Sequence, residues 1–178
     1  MDFEYKVGGI KGTGLKVVCD KSHFESETVG LRQGHGVQLS ATLADTVELC
    51  TDATKLYGFT LQSVKDWDGG ALPGYRPPAY TLQAQLGTEL VGIGYGAGEV
   101  ECNMVLPSTT ISASGTYTAT AIAQGDYVKF NVAYSLLQAT TDKTNAIGQV
   151  RRGGQSAVCG AGNKARPGDK IYIKMFSF

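Results

Sequence analysis

The chain has 178 residues, and its 16 basic and 16 acidic side chains cancel to a net charge of zero. This length suits one domain or two small lobes with a common core, and the balanced charge lacks the positive field that binds nucleic acids or anionic membranes. Charged residues make up only 18% of the chain, below the roughly 25% of typical soluble domains, which favours a protein that functions within an assembly.

The cysteines and the first residues indicate the compartment. Cys19, Cys50, Cys102 and Cys159 lie far apart, without the short paired spacings of a zinc or redox site, so we expect buried free thiols. The start of the chain has no basic and apolar signal region, and no stretch reaches the roughly 18 apolar residues of a membrane span. We therefore expect a protein of the reducing cytoplasm with no cofactor, no metal and no membrane partner.

The chain begins with a glycine-rich segment. Gly8-Gly9 and Gly12-Thr-Gly14 are followed by the apolar run Leu15-Lys-Val-Val-Cys19. Because glycines weaken a strand interior, we predict an N-terminal arm over residues 1–28 that leads into one strand. We expect this arm to be an extension outside the repeat, and its residues 1–14 to be poorly ordered until they dock on a partner.

The remainder is typical of many short strands. Twenty-four glycines and nine tyrosines, with frequent Thr and Val, are broken by turn signals at short intervals. The predicted strands are 36–40, 46–49, 57–64, 90–93, 100–106, 109–122, 127–132, 135–139, 146–151 and 170–178. A helical turn is predicted only at 51–56 and 141–145, since each begins with a Thr-Asp capping pair.

Two parts of the chain repeat one pattern. Gly34-His-Gly-Val37-Gln-Leu39 matches Gly125-Asp-Tyr-Val128-Lys-Phe130 at an offset of 91 positions. The segments 51–58 and 141–148 share Thr, Asp, Thr and Gly at an offset of 90, and the segments 98–105 and 168–175 match in pattern at 70. We therefore predict an all-β fold with a small barrel- or sandwich-like unit that is duplicated. The first unit is assigned to residues 29–106, with an insert at 66–80, and the second to 107–178.

No motif in the chain predicts catalysis. Residues 92–97 have the glycine spacing of a dinucleotide fingerprint, but a predicted strand follows them where a phosphate-binding helix is needed. His23 and His35 are the only imidazoles, and no nucleophile motif lies near either. Asp66 and Asp68 resemble the opening of a calcium loop that lacks its remaining ligands. We predict that the protein is not an enzyme.

The insert at 66–80 is predicted to be a long loop, because its glycines and prolines exclude a helix or a central strand. Trp67, Tyr75, Arg76 and Tyr80 are residue types that dominate contact hot spots. The prolines stiffen the loop before it binds. We predict that these four residues bind a partner. The alternative is that Trp67 folds back over the open end of its own barrel.

The second copy carries a resemblance to a known family. Its segments are Gly125-Asp-Tyr-Val-Lys-Phe130, Ala146-Ile-Gly-Gln-Val150 and Pro167-Gly-Asp-Lys-Ile-Tyr-Ile173. A glycine-led strand, a small-residue turn and a closing Gly-Asp strand in this order resemble the head decoration, or capsid cement, proteins of tailed bacteriophages. The resemblance covers about residues 30–64 and 123–178 and is one of strands and turns.

The resemblance implies a structural virion protein. Such a protein is made in the host bacterial cytoplasm, binds the outer surface of the assembled capsid, contacts the major capsid protein, often as a homotrimer, and reaches neighbouring subunits with an N-terminal arm. Nucleic acid is not an expected partner. Three alternatives remain open: a carbohydrate-binding module with Trp67, Tyr75 and Tyr80 as its stacking platform, a tail or fibre component, and, as the third, an enzyme.

Overall fold

A computed structural model describes residues 3–18, 29–31, 33–41, 46–61, 64–65, 90–108, 119–159 and 165–176. This part of the chain is all-β, as the sequence predicts, and its only helical element is a 3-10 turn at Ala53–Lys55. The strands are β1 (Phe3–Val18), β2 (Val29–Leu31), β3 (Gly36–Leu39), β4 (Thr46–Leu49), β5 (Gly58–Thr60), β6 (Val64–Lys65), β7 (Leu90–Cys102), β8 (Val105–Leu106), β9 (Ala121–Ile122), β10 (Tyr127–Asn131), β11 (Leu136–Thr140), β12 (Gly148–Arg152), β13 (Gly154–Gln155), β14 (Val158–Cys159), β15 (Ala165–Arg166) and β16 (Ile171–Met175).

Ten of these strands form one curled sheet. Their order is β1-β4-β3-β5-β7-β16-β12-β10-β11-β8, and β1 also pairs with β7. That second pairing closes β1, β4, β3, β5 and β7 into a ring of hydrogen-bonded strands. A second ring contains β7, β16, β12, β10, β11 and β8. It is closed by the covalent connection between β7 and β8, which are two residues apart in the chain.

The two rings have the same strand order and the same register, which confirms the duplication. In the first ring β3 pairs with β4 and β5, and in the second β10 pairs with β11 and β12, all antiparallel. Val37 lies opposite Leu49, and at the predicted offsets of 91 and 90 Val128 lies opposite Ala139. Insertions outside the strands have therefore left the pairing of the two copies unchanged.

The last strands of the rings correct the third sequence match. Thr60 pairs with Ile93 in the first ring, and Val150 pairs with Ile173 in the second. Ile93 and Ile173 are equivalent, so the offset of this strand is 80, and the predicted offset of 70 is wrong. Side chains alternate with a period of two along a strand, and a shift by ten residues therefore keeps the apolar pattern in phase.

A fourth match links the first strands of the two rings. Val17 of β1 pairs in parallel with Val47 of β4, and Val105 of β8 pairs in parallel with Leu137 of β11. Upstream of these positions, the first strand of each ring is antiparallel to the last strand of the same ring. In the first ring β1 pairs with β7, and in the second β7 pairs with β16. Strand β7 is therefore the last strand of the first ring and the first strand of the second.

The predicted detached arm is wrong for the residues that the structure describes. Phe3 and Tyr5 are 1% and 4% exposed, and β1 pairs with β7 from Phe3 to Lys16. The glycines permit this close pairing: a Cβ added to Gly94 would lie 2.6 Å from the Tyr5 ring, and the Tyr5 hydroxyl donates to the Gly96 carbonyl at 3.1 Å. Residues 19–28 lie outside the described part, and how the chain divides into domains stays a prediction.

The buried side chains repeat with the strands. Four equivalent pairs are each at most 7% exposed: Val37 and Val128, Val47 and Leu137, Leu49 and Ala139, and Ile93 and Ile173. Aromatic side chains connect the two rings of strands. Phe3 stacks on Phe59 at 5.1 Å between centroids, and Phe59 meets the edge of Phe130 at 6.1 Å.

The predicted capping turns are also equivalent. Asp52 Oδ1 accepts a hydrogen bond from Thr54 N at 3.0 Å, and Asp142 Oδ1 accepts one from Thr144 N at 2.8 Å. Each carboxylate satisfies a backbone donor that the turn leaves unpaired. Both Thr-Asp capping interactions are therefore confirmed, but the helical turn is confirmed only at 51–56: residues 141–145 form a turn without a helical element, so that part of the prediction is wrong.

Gly58 and Gly148 provide a test of the duplication. A Cβ added to Gly58 would lie 2.7 Å from Ile93 Cγ2, and one added to Gly148 would lie 2.9 Å from Ile173 Cγ2. We expect Gly58→Ala and Gly148→Ala each to lower the free energy of unfolding in urea by about 1–3 kcal/mol through overpacking. The control Lys174→Ala, on an exposed position, should change it by less than about 0.5 kcal/mol. A clear loss in one glycine variant and none in the other would contradict equivalence.

Phe3 tests whether β1 belongs to the core. We expect Phe3→Ala to lower the free energy of unfolding by about 3–5 kcal/mol, because it removes a buried aromatic ring. Val7 lies on the same strand and is 61% exposed, so Val7→Ala should change stability by less than about 0.5 kcal/mol. Equal urea midpoints for Phe3→Ala and the parent would mean that the N-terminal segment is a detachable arm after all.

Candidate functional site

The predicted partner-binding residues Trp67, Tyr75, Arg76 and Tyr80 lie outside the described residues. Their role therefore stays a prediction. The same holds for the predicted loop at 66–80 as a whole.

The glycine-spaced segment at 92–97 lies entirely within β7. The strand continues to Cys102, so no helix N-terminus is available there for a phosphate. His35 is 8% exposed, and its carbonyl oxygen accepts from Thr60 N at 3.0 Å. His35 thus lies within the strand framework of the first ring.

A cleft of about 720 Å³ lies where the two rings meet. Residues 53–54 line it from the first ring, and residues 129–133, 138 and 145–147 line it from the second. Ligand sites typically occupy about 300–1,000 Å³ and often form where two units of a fold meet. This cleft is a candidate site in the described part of the chain, and no sequence motif predicts it.

The contacts beside the cleft hold the two rings together. Gly36 N donates to the Ser135 carbonyl at 2.9 Å, and Ser135 Oγ donates to the Cys50 carbonyl at 3.4 Å. The Phe130 ring lies against Gly36 so closely that an added Cβ would overlap its Cε2 and Cζ atoms. Both walls of the cleft are therefore anchored in the common core.

The polar groups of the cleft are largely pre-oriented. Asn131 Nδ2 donates to Gln138 Oε1 at 3.0 Å, and Gln138 Nε2 donates to the Pro107 carbonyl at 3.0 Å. Among the described residues that line the cleft, Lys129 alone is charged. Nearby, hydrogen bonds from Thr144 and, to a smaller extent, the charge of Lys129 lower the pKa of Asp142. The cleft thus offers one cation and no carboxylate.

A second cluster of charges surrounds Glu101 on β7. The Glu101 side chain is 10% exposed, and Lys170, Lys6 and Arg152 lie 3.1, 3.7 and 3.8 Å from its oxygens. Arg152 also stacks over the Tyr172 ring at 4.4 Å. The hydrogen bond from Lys170, followed by one from Tyr172 and the nearby charges, lowers the pKa of Glu101. Because the partners come from β1, β12 and the segment before β16, this cluster ties neighbouring strands to β7.

The described cysteines agree with the expected buried thiols. Cys50 and Cys102 are both free and buried, and Cys50 Sγ donates to the Asp52 carbonyl at 3.0 Å. Burial raises the pKa of the Cys50 thiol, which disfavours the reactive thiolate. Cys19 lies outside the described residues, and only the backbone of Cys159 is described.

The described part of the chain lacks two further features. It contains no group of three or more His, Cys, Asp or Glu side chains arranged to hold a metal ion. It also contains no helix with the length and apolar character needed to cross a membrane. No protein-family model matches the chain, and no curated protein matches it significantly. No relative therefore assigns a role to the cleft or to the Glu101 cluster.

Glu101 gives a prediction about pH. Its pKa in the folded protein lies below the ordinary value of 4.5. Its stabilising contribution is therefore complete above about pH 4.5 and is lost as the pH falls through the lowered pKa. We expect Glu101→Gln to lower the free energy of unfolding at pH 7 and to flatten its decline in urea titrations between pH 5 and pH 3. Glu99→Gln, on the same strand, is the matched control and should keep the parent's profile. An unchanged profile for Glu101→Gln would show that the cluster contributes nothing to folding.

Proposed function

We propose that this protein is a structural virion protein that binds the outer surface of an assembled bacteriophage capsid and stabilises the major capsid protein lattice. The supporting observation is the duplication. The segments on which the resemblance rests, residues 125–130, 146–150 and 167–173, include β10, the start of β12 and the start of β16. These strands belong to the second ring, and the first ring repeats them with the same register.

The duplicated fold suits a lattice of identical subunits. Two similar units in one chain offer two similar surfaces, and engagement of the second surface after the first is intramolecular. A protein that binds only the assembled lattice stabilises it by mass action. This function requires no catalysis and no cofactor. In this proposal the protein self-associates, as a homotrimer, and does not bind nucleic acid.

The position of β1 changes the proposed mode of attachment. Since β1 is part of the core, the N-terminal segment from Phe3 to Val18 is not free to reach a neighbouring subunit. Capsid contact is therefore assigned to the loop at 66–80, with its aromatic residues and Arg76. The protein would be made in the host cytoplasm and would then reside on the virion surface.

Mixing the purified protein with expanded capsids that lack decoration tests the proposal. We expect regularly spaced bound density on the outer surface in cryo-electron microscopy, and a raised temperature of capsid disruption. Unexpanded shells are the control and should remain undecorated. Absence of bound density on expanded capsids, together with saturable binding to oligosaccharides, would reject this function in favour of a carbohydrate-binding module.

Trp67 and Tyr75 test where the capsid contact lies. We expect Trp67→Ala and Tyr75→Ala each to weaken capsid binding by about 1–4 kcal/mol, because truncating a hot-spot aromatic leaves its pocket unfilled. The melting temperature should change little. If Trp67 instead covers its own barrel, its substitution should lower stability by about 3–5 kcal/mol. Unchanged melting and unchanged capsid binding in both variants would exclude both roles.

A further inference from the structure

One edge of β10 is unpaired where it borders the cleft. Strand β11 pairs with all of β10, from Tyr127 to Asn131, whereas β12 pairs only with Tyr127 and Val128. Beyond Val128, no strand of the described part pairs with the β12 side of β10. Residues 129–131 on that side therefore border the cleft instead of a neighbouring strand.

The backbone of Phe130 faces this open side. Val150 N donates to the Asp126 carbonyl at 2.7 Å, and Ile147 N donates to the Val128 carbonyl at 2.8 Å. Backbone groups of alternate residues point to the same side of an antiparallel strand. The N–H and C=O groups of Phe130 consequently point in the direction in which β12 has ended. An edge of this kind is a template for an added strand.

The side chains around this edge favour one charge on the incoming segment. Lys129 is exposed, and the other described lining residues are uncharged. The carboxylates that flank the lining residues are already engaged: Asp52 Oδ1 accepts hydrogen bonds from Thr54, and Asp142 Oδ1 accepts one from Thr144. The small side chains of Ala53 and Ala146 are part of the cleft lining.

We propose that the cleft binds an extended peptide segment that adds as a short strand to β10 and places an acidic side chain beside Lys129. Main-chain hydrogen bonds with Phe130 would provide most of the affinity, and the contact with Lys129 would select the charge. This site is separate from the loop at 66–80 and does not depend on capsid binding. The partner is a polypeptide, because a strand edge that borders a cleft offers the paired donor and acceptor that another backbone satisfies.

The probe is an acetylated and amidated pentapeptide with glutamate at its centre, flanked by valine and threonine. Titration into the 15N-labelled protein should shift the amide signals of residues 129–131 and 145–147. A matched peptide with lysine in place of glutamate should bind at least about threefold more weakly, because an exposed ion pair contributes only a small binding free energy. A third peptide, N-methylated at the amides that would pair with Phe130, should lose binding.

The variant Lys129→Glu tests the charge selection. It should reverse the preference, so that the lysine peptide binds more tightly than the glutamate peptide. Lys129→Gln keeps the length of the side chain and should bind both peptides equally. Lys174→Glu, an exposed position on β16, is the matched control and should keep the parent's preference. Melting temperatures close to the parent's establish that each variant is folded.

Three results would overturn the proposal: no shift at residues 129–131 at millimolar peptide, equal binding of the N-methylated peptide, or an unchanged preference in Lys129→Glu. Shifts at the same residues with a maltooligosaccharide, and none with peptide, would assign the cleft to glycans instead. Peptide binding by a protein that ignores capsids would support this site and reject the proposed virion function, so the two proposals fail separately.

Discussion

The fold depends on one strand, β7, that belongs to both copies of the repeat. Its first half pairs with β5 and its second half with β16, while β1 pairs along nearly its whole length. Neither ring of strands closes without it. The strand contains four glycines. The Tyr5 ring of β1 packs against one of them, Gly94, where a Cβ atom would overlap the ring. Sparse side chains on β7 and one large ring on β1 are thus complementary, which allows β1 and β7 to pair closely.

The junction of the two rings determines where the cleft forms. The second ring is held against the first by Phe130, which lies over Gly36 and makes a T-shaped contact with Phe59. Gly58 of the first ring is equivalent to Gly148 of the second, and each allows the neighbouring strand to pack closely against it. Because β12 begins at Gly148, the end of β10 is left beside the cleft. The junction of the copies therefore holds the two rings together and leaves an edge of β10 that no strand of the described residues covers.

The features that depend on a pattern of side chains, such as the repeated strands and turns, could be predicted from the sequence. The features that depend on backbone pairing, such as the pairing of β1 with β7, could not. The matches from Gly34 to Leu39 and at the Thr-Asp turns were found because turn residues and alternating apolar residues recur at constant offsets. Only the end of β1, from Leu15, was predicted as a strand because the glycines before it interrupt the apolar pattern, and its partner β7 was predicted in two pieces for the same reason. The offset of β16 was wrong because alternation does not distinguish even shifts. The cleft was missed because residues 53–54 and 129–133 are remote in sequence, and only their packing brings them together.

Native-state hydrogen exchange on a variant altered in one copy tests the shared strand most directly. Val37→Ala removes a fully buried side chain from the first ring and should destabilise it by about 2–4 kcal/mol. If β7 couples the rings, the protection of amides in β10, β12 and β16 should fall by the same free energy as that in β3 and β5. Unchanged protection in β10, β12 and β16, with a loss confined to the first ring, would contradict the coupling.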